Sequence, residues 1–317
     1  MSICNLSTQF KEVHNIGDDF LLNIIESNLK MFLDWSFLNV GAWFDVGMTD
    51  QTIFGGRTHA QLLPVYDPSY ADGQVWQGIR KDWVWENGFE YNENSPIEIN
   101  SVDINGTTVN KTGNFVINYP LGRIIFNTPK SLTSTIKANY SYRFVQVHRA
   151  SDSPWFNIIQ QSSYNTANQD IVRTEDGEWA IGSNHRIQLP AIVIESLPRS
   201  RSFPYEIGSN SLIIEQDIGF YILAENKNDR NKLLDILRLQ QDHNILLFNT
   251  NTLAQNDKYP LDYNGDLKNS PLMYPDIVTQ YTWRKCWIKN VNLFELDSPN
   301  PNLHQGMVRM TTEIISN

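Results

Sequence analysis

The sequence predicts an α+β protein, with a mixed sheet and two main helices interrupted by an antiparallel β module. Three observations carry that expectation. Apolar residues keep helical spacing clearly in only two segments, Asp18 to Leu38 and Asn228 to Leu239. Between them, from about Pro96 to Val147, the period drops to two and turn residues recur. After that stretch, mixed strands surround the second helix.

In the first segment Leu21, Ile24, Ile25, Leu29, Phe32 and Leu33 share a face, and Asp18 or Asp19 is placed to cap the first turn. Asn39 and Gly41 then lead into a short apolar run, Ala42 to Val46, which suits a strand. Gln51 to Pro68 holds Gly55, Gly56, Pro64 and Pro68 without a sustained period and reads as irregular. The β module follows. Ile97 to Ile104 and Thr107 to Val109 flank Asn105-Gly106, a primed-turn hairpin signal. Val116 to Pro120 turns at Gly122 into Arg123 to Asn127. Ile136, Ala138, Tyr140, Tyr142 and Phe144 fall on one face of a further strand reaching Val147.

Beyond the module a short helix is expected near Phe156 to Ser163, then a polar loop through Asp176-Gly177. Strands follow at Arg186 to Glu195 and Ser211 to Ala224. Asn228 and Asp229 are read as capping the second helix, and Ile245 to Phe248 reads as a buried strand. Arg284 to Phe294 and Gly306 to Ile314 close the chain around the turn-rich Asp297 to Asn302. The implied organisation is 1–52 as the first part of the α+β domain, 53–150 as an inserted β-rich module, and 151–317 as the remainder.

Composition narrows the function classes. The 317 residues carry a net charge of −10, and only 19% are charged, against about 25% in ordinary soluble domains. Asn, Ser and Thr fill the difference, giving a mean hydropathy of −0.38. With a pI near 5.1 and no basic run, a nonspecific grip on nucleic acid or anionic lipid is not expected. The apolar stretches are too short or too interrupted to span a bilayer, and no secretory signal is read at the N-terminus. Cys4 and Cys286 alone make neither a disulfide framework nor a cysteine-built zinc site.

No phosphate-binding loop and no nucleophile elbow is present; Gly208-Ser209-Asn210-Ser211 has the wrong spacing for the latter. The histidines, at 14, 59, 148, 185, 243 and 304, never share one helical face. Asp262 to Asp266 resembles a calcium loop only faintly, because its glycine comes too early and no glutamate follows at the required offset. Glu215 and Asp217 share a strand face, as an acid and base pair would, but a solvated strand face is the better account of them. No cofactor, metal ligand set or catalytic group is therefore expected.

The strongest local anomaly is aromatic. Gln74 to Tyr91 holds Trp76, Trp83, Trp85, Phe89 and Tyr91 beside Arg80 and Lys81. Three readings stay open: a local core, a protein interface in which Trp, Tyr and Arg act as anchors, or a platform on which sugar rings stack. The candidate interface set is Trp76, Arg80, Trp83, Trp85, Tyr91, Arg123, Tyr140 and Tyr142.

Several of these segments resemble tailed-bacteriophage virion structural proteins. They include Asn118-Tyr119-Pro120 to Phe126, Ile136 to Arg143, Gly73 to Glu86, Ala224 to Asp242 with Leu247-Phe248-Asn249, Tyr259-Pro260-Leu261, and Leu272-Met273-Tyr274-Pro275. The order of elements from Leu189 to Leu233 is similar to that of tail-terminator and neck proteins at the head–tail junction, with the β module as an insertion. That resemblance implies a non-enzymatic subunit of a homo-oligomeric ring, commonly a hexamer, which contacts neck, tail-tube or sheath proteins and is assembled in the host cytoplasm. Two other roles remain: a baseplate or fibre-attachment adaptor, and a carbohydrate-binding tail component.

Overall fold

Strands account for 41% of the chain and helices for 20%, so the protein is mostly β. This corrects the expected α+β class built on two main helices. The computed structural model describes residues 21–51, 53–54, 56–162, 171–175, 177–182, 185–206 and 211–316. The proposed caps Asp18 and Asp19 and the loop residue Asp176 lie outside them. The described helices are α1 (Leu21–Asn39), α2 (Pro154–Gln161), α3 (Lys227–Arg238), α4 (Thr250–Gln255) and α5 (Tyr274–Tyr281). Only α1 and α3 exceed eight residues.

Many strands are too short to show a period, which hides the β content from the sequence pattern. Gln51 to Pro68, expected to be irregular, contains strands Ile53–Phe54, Arg57–Thr58 and Gln61–Pro64. Gln61–Pro64 and the three-residue strand Val75–Gln77 occupy the middle of a seven-stranded antiparallel sheet. Its outer strands include the Ser101–Ile104 and Thr107–Asn110 hairpin, where Asn105 and Gly106 both take positive φ, 53° and 84°. That is the left-handed pair a primed turn needs. The Phe115–Asn118 and Arg123–Phe126 hairpin closes the other side. Trp76, Trp83, Phe115, Phe126 and Tyr140 fill this module's core.

The expected single strand from Ile136 to Val147 is broken into Ile136–Ala138, Tyr140–Arg143 and Gln146–Arg149, and each joins a different sheet. The alternation fails because Tyr140 and Ser141 are both buried, which turns Arg143 inward and leaves Tyr142 and Phe144 only half-buried.

Gln146–Arg149 crosses into a second, six-stranded sheet and pairs in parallel with Ala191–Pro204. The remaining neighbours, Leu212–Ala224, His304–Ser316, Thr282–Leu296 and Asn244–Phe248, are antiparallel in that order. Ala191–Pro204 is distinct from the strand His185–Ile187, which belongs to a small three-stranded sheet, so the expected Arg186 to Glu195 strand is two.

Residues Ile25, Leu29, Leu33 and Phe37, four apart along α1, bury one helical stripe on the six-stranded sheet, and Leu233 and Leu237 of α3 pack into the same core. The cap of α3 is Asn226 and not Asn228 or Asp229, which lie in its first turn: the Asn226 side chain accepts from the Asp229 amide at 2.8 Å. Trp155, Phe156 and Ile159 of α2 cover part of the opposite face together with the small sheet. Among the described residues, no helix is long and apolar enough to cross a membrane.

Candidate functional site

The aromatic segment divides between core and surface. Trp76 and Trp83 are fully buried, and their indole nitrogens donate to the carbonyls of Gly73 and Arg80, each at 2.8 Å. Trp83 stacks on Tyr140 with centroids 4.5 Å apart, and the Tyr140 hydroxyl donates to His59 O at 3.0 Å. These three rings are covered by this chain itself. Arg80 lies over the half-buried Tyr142 ring at 5.3 Å. Arg123 donates to Gln77 and Asp67 at 2.8 and 3.2 Å. Tyr91 is exposed and its ring lies against Gly41, a residue with φ +78° where any Cβ would strike the tyrosine. Trp85 is half-buried and faces a cleft.

That cleft, about 480 Å³, opens between α1, the Asp82 to Glu86 segment, Arg143 and α4. Its floor is an ionic cluster. Arg143 donates from Nε to Asp82 at 3.2 Å and from Nη2 to both oxygens of Glu86 at 2.9 and 2.6 Å. One turn apart on α1, Lys30 donates to Asp34 at 2.9 Å. Burial works against the charge of Arg143 and Lys30, yet the neighbouring carboxylates overcome it and raise both. Burial raises the Asp82 and Glu86 carboxyls above the usual range, with Arg143 opposing the rise. Asp82 also holds φ at 53°, the left-handed region that a non-glycine residue adopts sparingly. Arg149, which donates to Asn23, Ser27 and Asp152, stands at the rim.

Sequence reasoning did not single out this cluster. The doubled burial at Tyr140 and Ser141 is what brings Arg143 inside. The available signals were two pairs at helical or near-turn spacing, Lys30 with Asp34 and Asp82 with Glu86.

The second functional feature is backbone. The sequence offers Ser211 to Ala224 as a strand for pairing with another subunit, but the strand formed, Leu212–Ala224, is interior: Ala191–Pro204 fills one side and His304–Ser316 the other. The open edges lie elsewhere. Gln146–Arg149 pairs only as far as Ile194, and among the described residues no strand pairs with the outer side of Arg199–Pro204. Across the sheet, Asn244–Phe248 pairs only with residues 282–287 of its neighbour, so the outer side of 290–296 is unpaired among the described residues. Phe203 is 40% exposed on the first edge, and Leu293 and Phe294 are 41% and 44% exposed on the second. The first edge carries Arg199 and Arg201, the second Glu295.

Glu215 and Asp217 sit in cross-strand charge networks. Glu215 faces Glu313, and Lys289 bridges the two at 2.5 and 3.2 Å. Asp217 accepts from Arg309 and from Thr311, which hold its carboxyl below the usual range against the opposing effect of burial. The Asp262 to Asp266 segment forms an Asx-type turn, with Asp262 Oδ1 accepting from the Asn264 and Asp266 amides. Among the described residues, no group of three or more His, Cys, Asp and Glu is arranged to hold a metal. No protein-family model matches the chain, and no curated protein matches it.

Proposed function

We propose that this chain is a structural subunit of a tailed-phage virion, and that copies join edge to edge into a ring in the tail or neck. The supporting observation is the pair of open edges, Arg199–Pro204 and 290–296, on opposite sides of one six-stranded sheet. An open edge is a row of unpaired amides and carbonyls that another strand completes. Two different edges on one sheet make a head-to-tail contact, and such a contact closes into a ring when its rotation divides a full turn.

Within the chain Glu295 already accepts from Arg230 at 2.6 Å and Arg199 faces Asp217 at 3.6 Å, so backbone pairing and not charge carries the contact. Pro198 and Pro204 lack amide donors and limit the first edge to a short pairing segment, which favours one register. The virion placement is supported by the sequence resemblance alone. The mostly β fold removes the α+β terminator architecture from its support.

Native mass spectrometry of the purified chain, together with peptide mapping of purified virions, tests the reading. The expected result is a closed oligomer larger than a dimer and peptides of this chain in the particle. A monomer at micromolar concentration that is absent from virions overturns it.

A further inference from the structure

We infer that the groove between the strand Trp43–Val46 and α3 takes an extended segment of a partner protein, added as a strand and carrying a large apolar residue and a carboxylate. The inference does not rest on the ring, because this strand lies in a separate two-stranded sheet with Tyr140–Arg143.

The backbone selects a strand. Ala42 O accepts from Phe144 N at 2.9 Å, and Phe44 stands opposite Tyr142. Hydrogen bonds alternate along an antiparallel pair, so Phe44 uses its amide and carbonyl inside the sheet while Trp43 and Asp45 turn theirs to the other edge. The far side of Tyr140–Arg143 is filled: Val84 N donates to Ser141 O at 2.8 Å and Arg143 N to Asp82 O at 3.2 Å. On the Trp43–Val46 side, no hydrogen bond from a described residue meets those outward groups. Phe44 and Asp45 are exposed, so solvent reaches this edge, and an open edge is completed by an extended chain.

Side chains select which segment. The strand is four residues long and offers few backbone bonds, so specificity has to come from the groove beside it. That groove, about 420 Å³, has Val40, Phe44 and Phe144 on one wall and Leu233 and Ile236 of α3 on the other. Val40 and Phe44 are 59% and 49% exposed, apolar surface that an apolar side chain would cover. Ala42, Phe44 and Phe144 share one face of the small sheet, so an added strand places every second side chain on the groove's face. Lys232 also lines the groove; it is exposed, and among the described residues no carboxylate pairs with it. A cation without a counter-charge beside an apolar groove complements an acidic residue.

The test selects binders to the full chain from a library of short random peptides and titrates the strongest by fluorescence polarisation. The expected consensus pairs a large apolar residue with Asp or Glu. Phe44→Ser and Lys232→Glu change exposed side chains, so circular dichroism is expected to stay unchanged. Phe44→Ser is expected to weaken binding about tenfold, and Lys232→Glu to reverse the preference between a peptide and its Glu-to-Lys counterpart. Methylating alternate peptide amides is expected to abolish binding for one set of positions and to spare it for the other, the signature of strand addition. No peptide bound at millimolar concentration, binding that both variants leave intact, or binding indifferent to the methylated positions overturns the inference. Loss of the chain's own assembly in Phe44→Ser, read by native mass spectrometry, overturns it too, since that assigns the edge to a second copy.

Discussion

Arg143 Nη2 donates to both carboxylate oxygens of Glu86, joining two buried side chains 57 residues apart in the chain. Both are about one-twentieth exposed, at 4% and 5%, so solvent screens the pair little. Without the Glu86 charge Arg143 keeps Asp82 at 3.2 Å from Nε as its counter-charge, so the cost is that of a weakened buried hydrogen-bonded pair, about 1–3 kcal/mol. Glu86→Gln is therefore expected to lower unfolding free energy by about 1–3 kcal/mol, read from urea denaturation at neutral pH. A loss below about 1 kcal/mol, the range of an exposed pair, means that the arginine is hydrated in the folded chain.

Asn28 fastens α1 to the six-stranded sheet. Its amide nitrogen donates to Phe248 O and its oxygen accepts from Phe248 N, both at 2.8 Å and both buried. Asn28→Ala leaves the Phe248 amide and carbonyl unsatisfied, each at about 1–3 kcal/mol. The expected loss is at least about 2 kcal/mol. Hydrogen exchange gives the local readout: the Phe248 amide, protected in the wild type, exchanges faster by more than global destabilisation accounts for.

How much of this was legible in the sequence depends on how local each signal is. The α1 stripe, α3 and the Asn105-Gly106 turn are encoded within one segment each, and the structure forms all three. Gln61–Pro64 and Val75–Gln77 are set by their neighbours across the sheet, and three or four residues cannot display a period of two. The face carrying Ile136, Ala138 and Tyr140 is correct up to Tyr140 and then inverts. Nothing in the spacing of Tyr140, Tyr142 and Phe144 announces that inversion, so the sequence shows the Lys30/Asp34 and Asp82/Glu86 pairs without showing that Arg143 joins them. The open edges were missed for a similar reason: which strand is outermost depends on how far its partner extends.

His148 titrates against the fold. Burial, reinforced by Lys30 and opposed by Asp34 and Asp152, lowers its pKa from 6.5 to about 4. Its Nε2 has no hydrogen-bond partner, and its ring meets Trp155 edge-on at 5.5 Å. Because the folded value lies below the unfolded one, the unfolded chain binds the extra proton first. The contribution is complete above about pH 6.5 and is lost as pH falls toward about 4, with a ceiling of about 3 kcal/mol that the ring's partial exposure reduces. His148→Phe keeps the ring contact and removes the titration. Its stability profile is expected to be flatter than wild type between those pH values. Parallel profiles assign the acid sensitivity to other groups.

The two open edges differ in sequence, and that difference predicts how blocked chains behave in mixtures. Phe203 and Phe294 are both exposed, so Phe203→Lys and Phe294→Lys leave the fold intact while placing a lysine on one edge or the other, a standard way to prevent strand addition. In a head-to-tail contact every junction uses one edge of each kind, so either variant alone is monomeric. Mixed together, a chain blocked at Phe203 still offers 290–296, and a chain blocked at Phe294 still offers Arg199–Pro204. One native junction forms and the opposing lysines prevent the next, so native mass spectrometry of the mixture is expected to show a heterodimer and nothing larger. An isologous contact through a single edge gives a different pattern: one variant is monomeric, the other assembles as the wild type does, and mixing creates no new species.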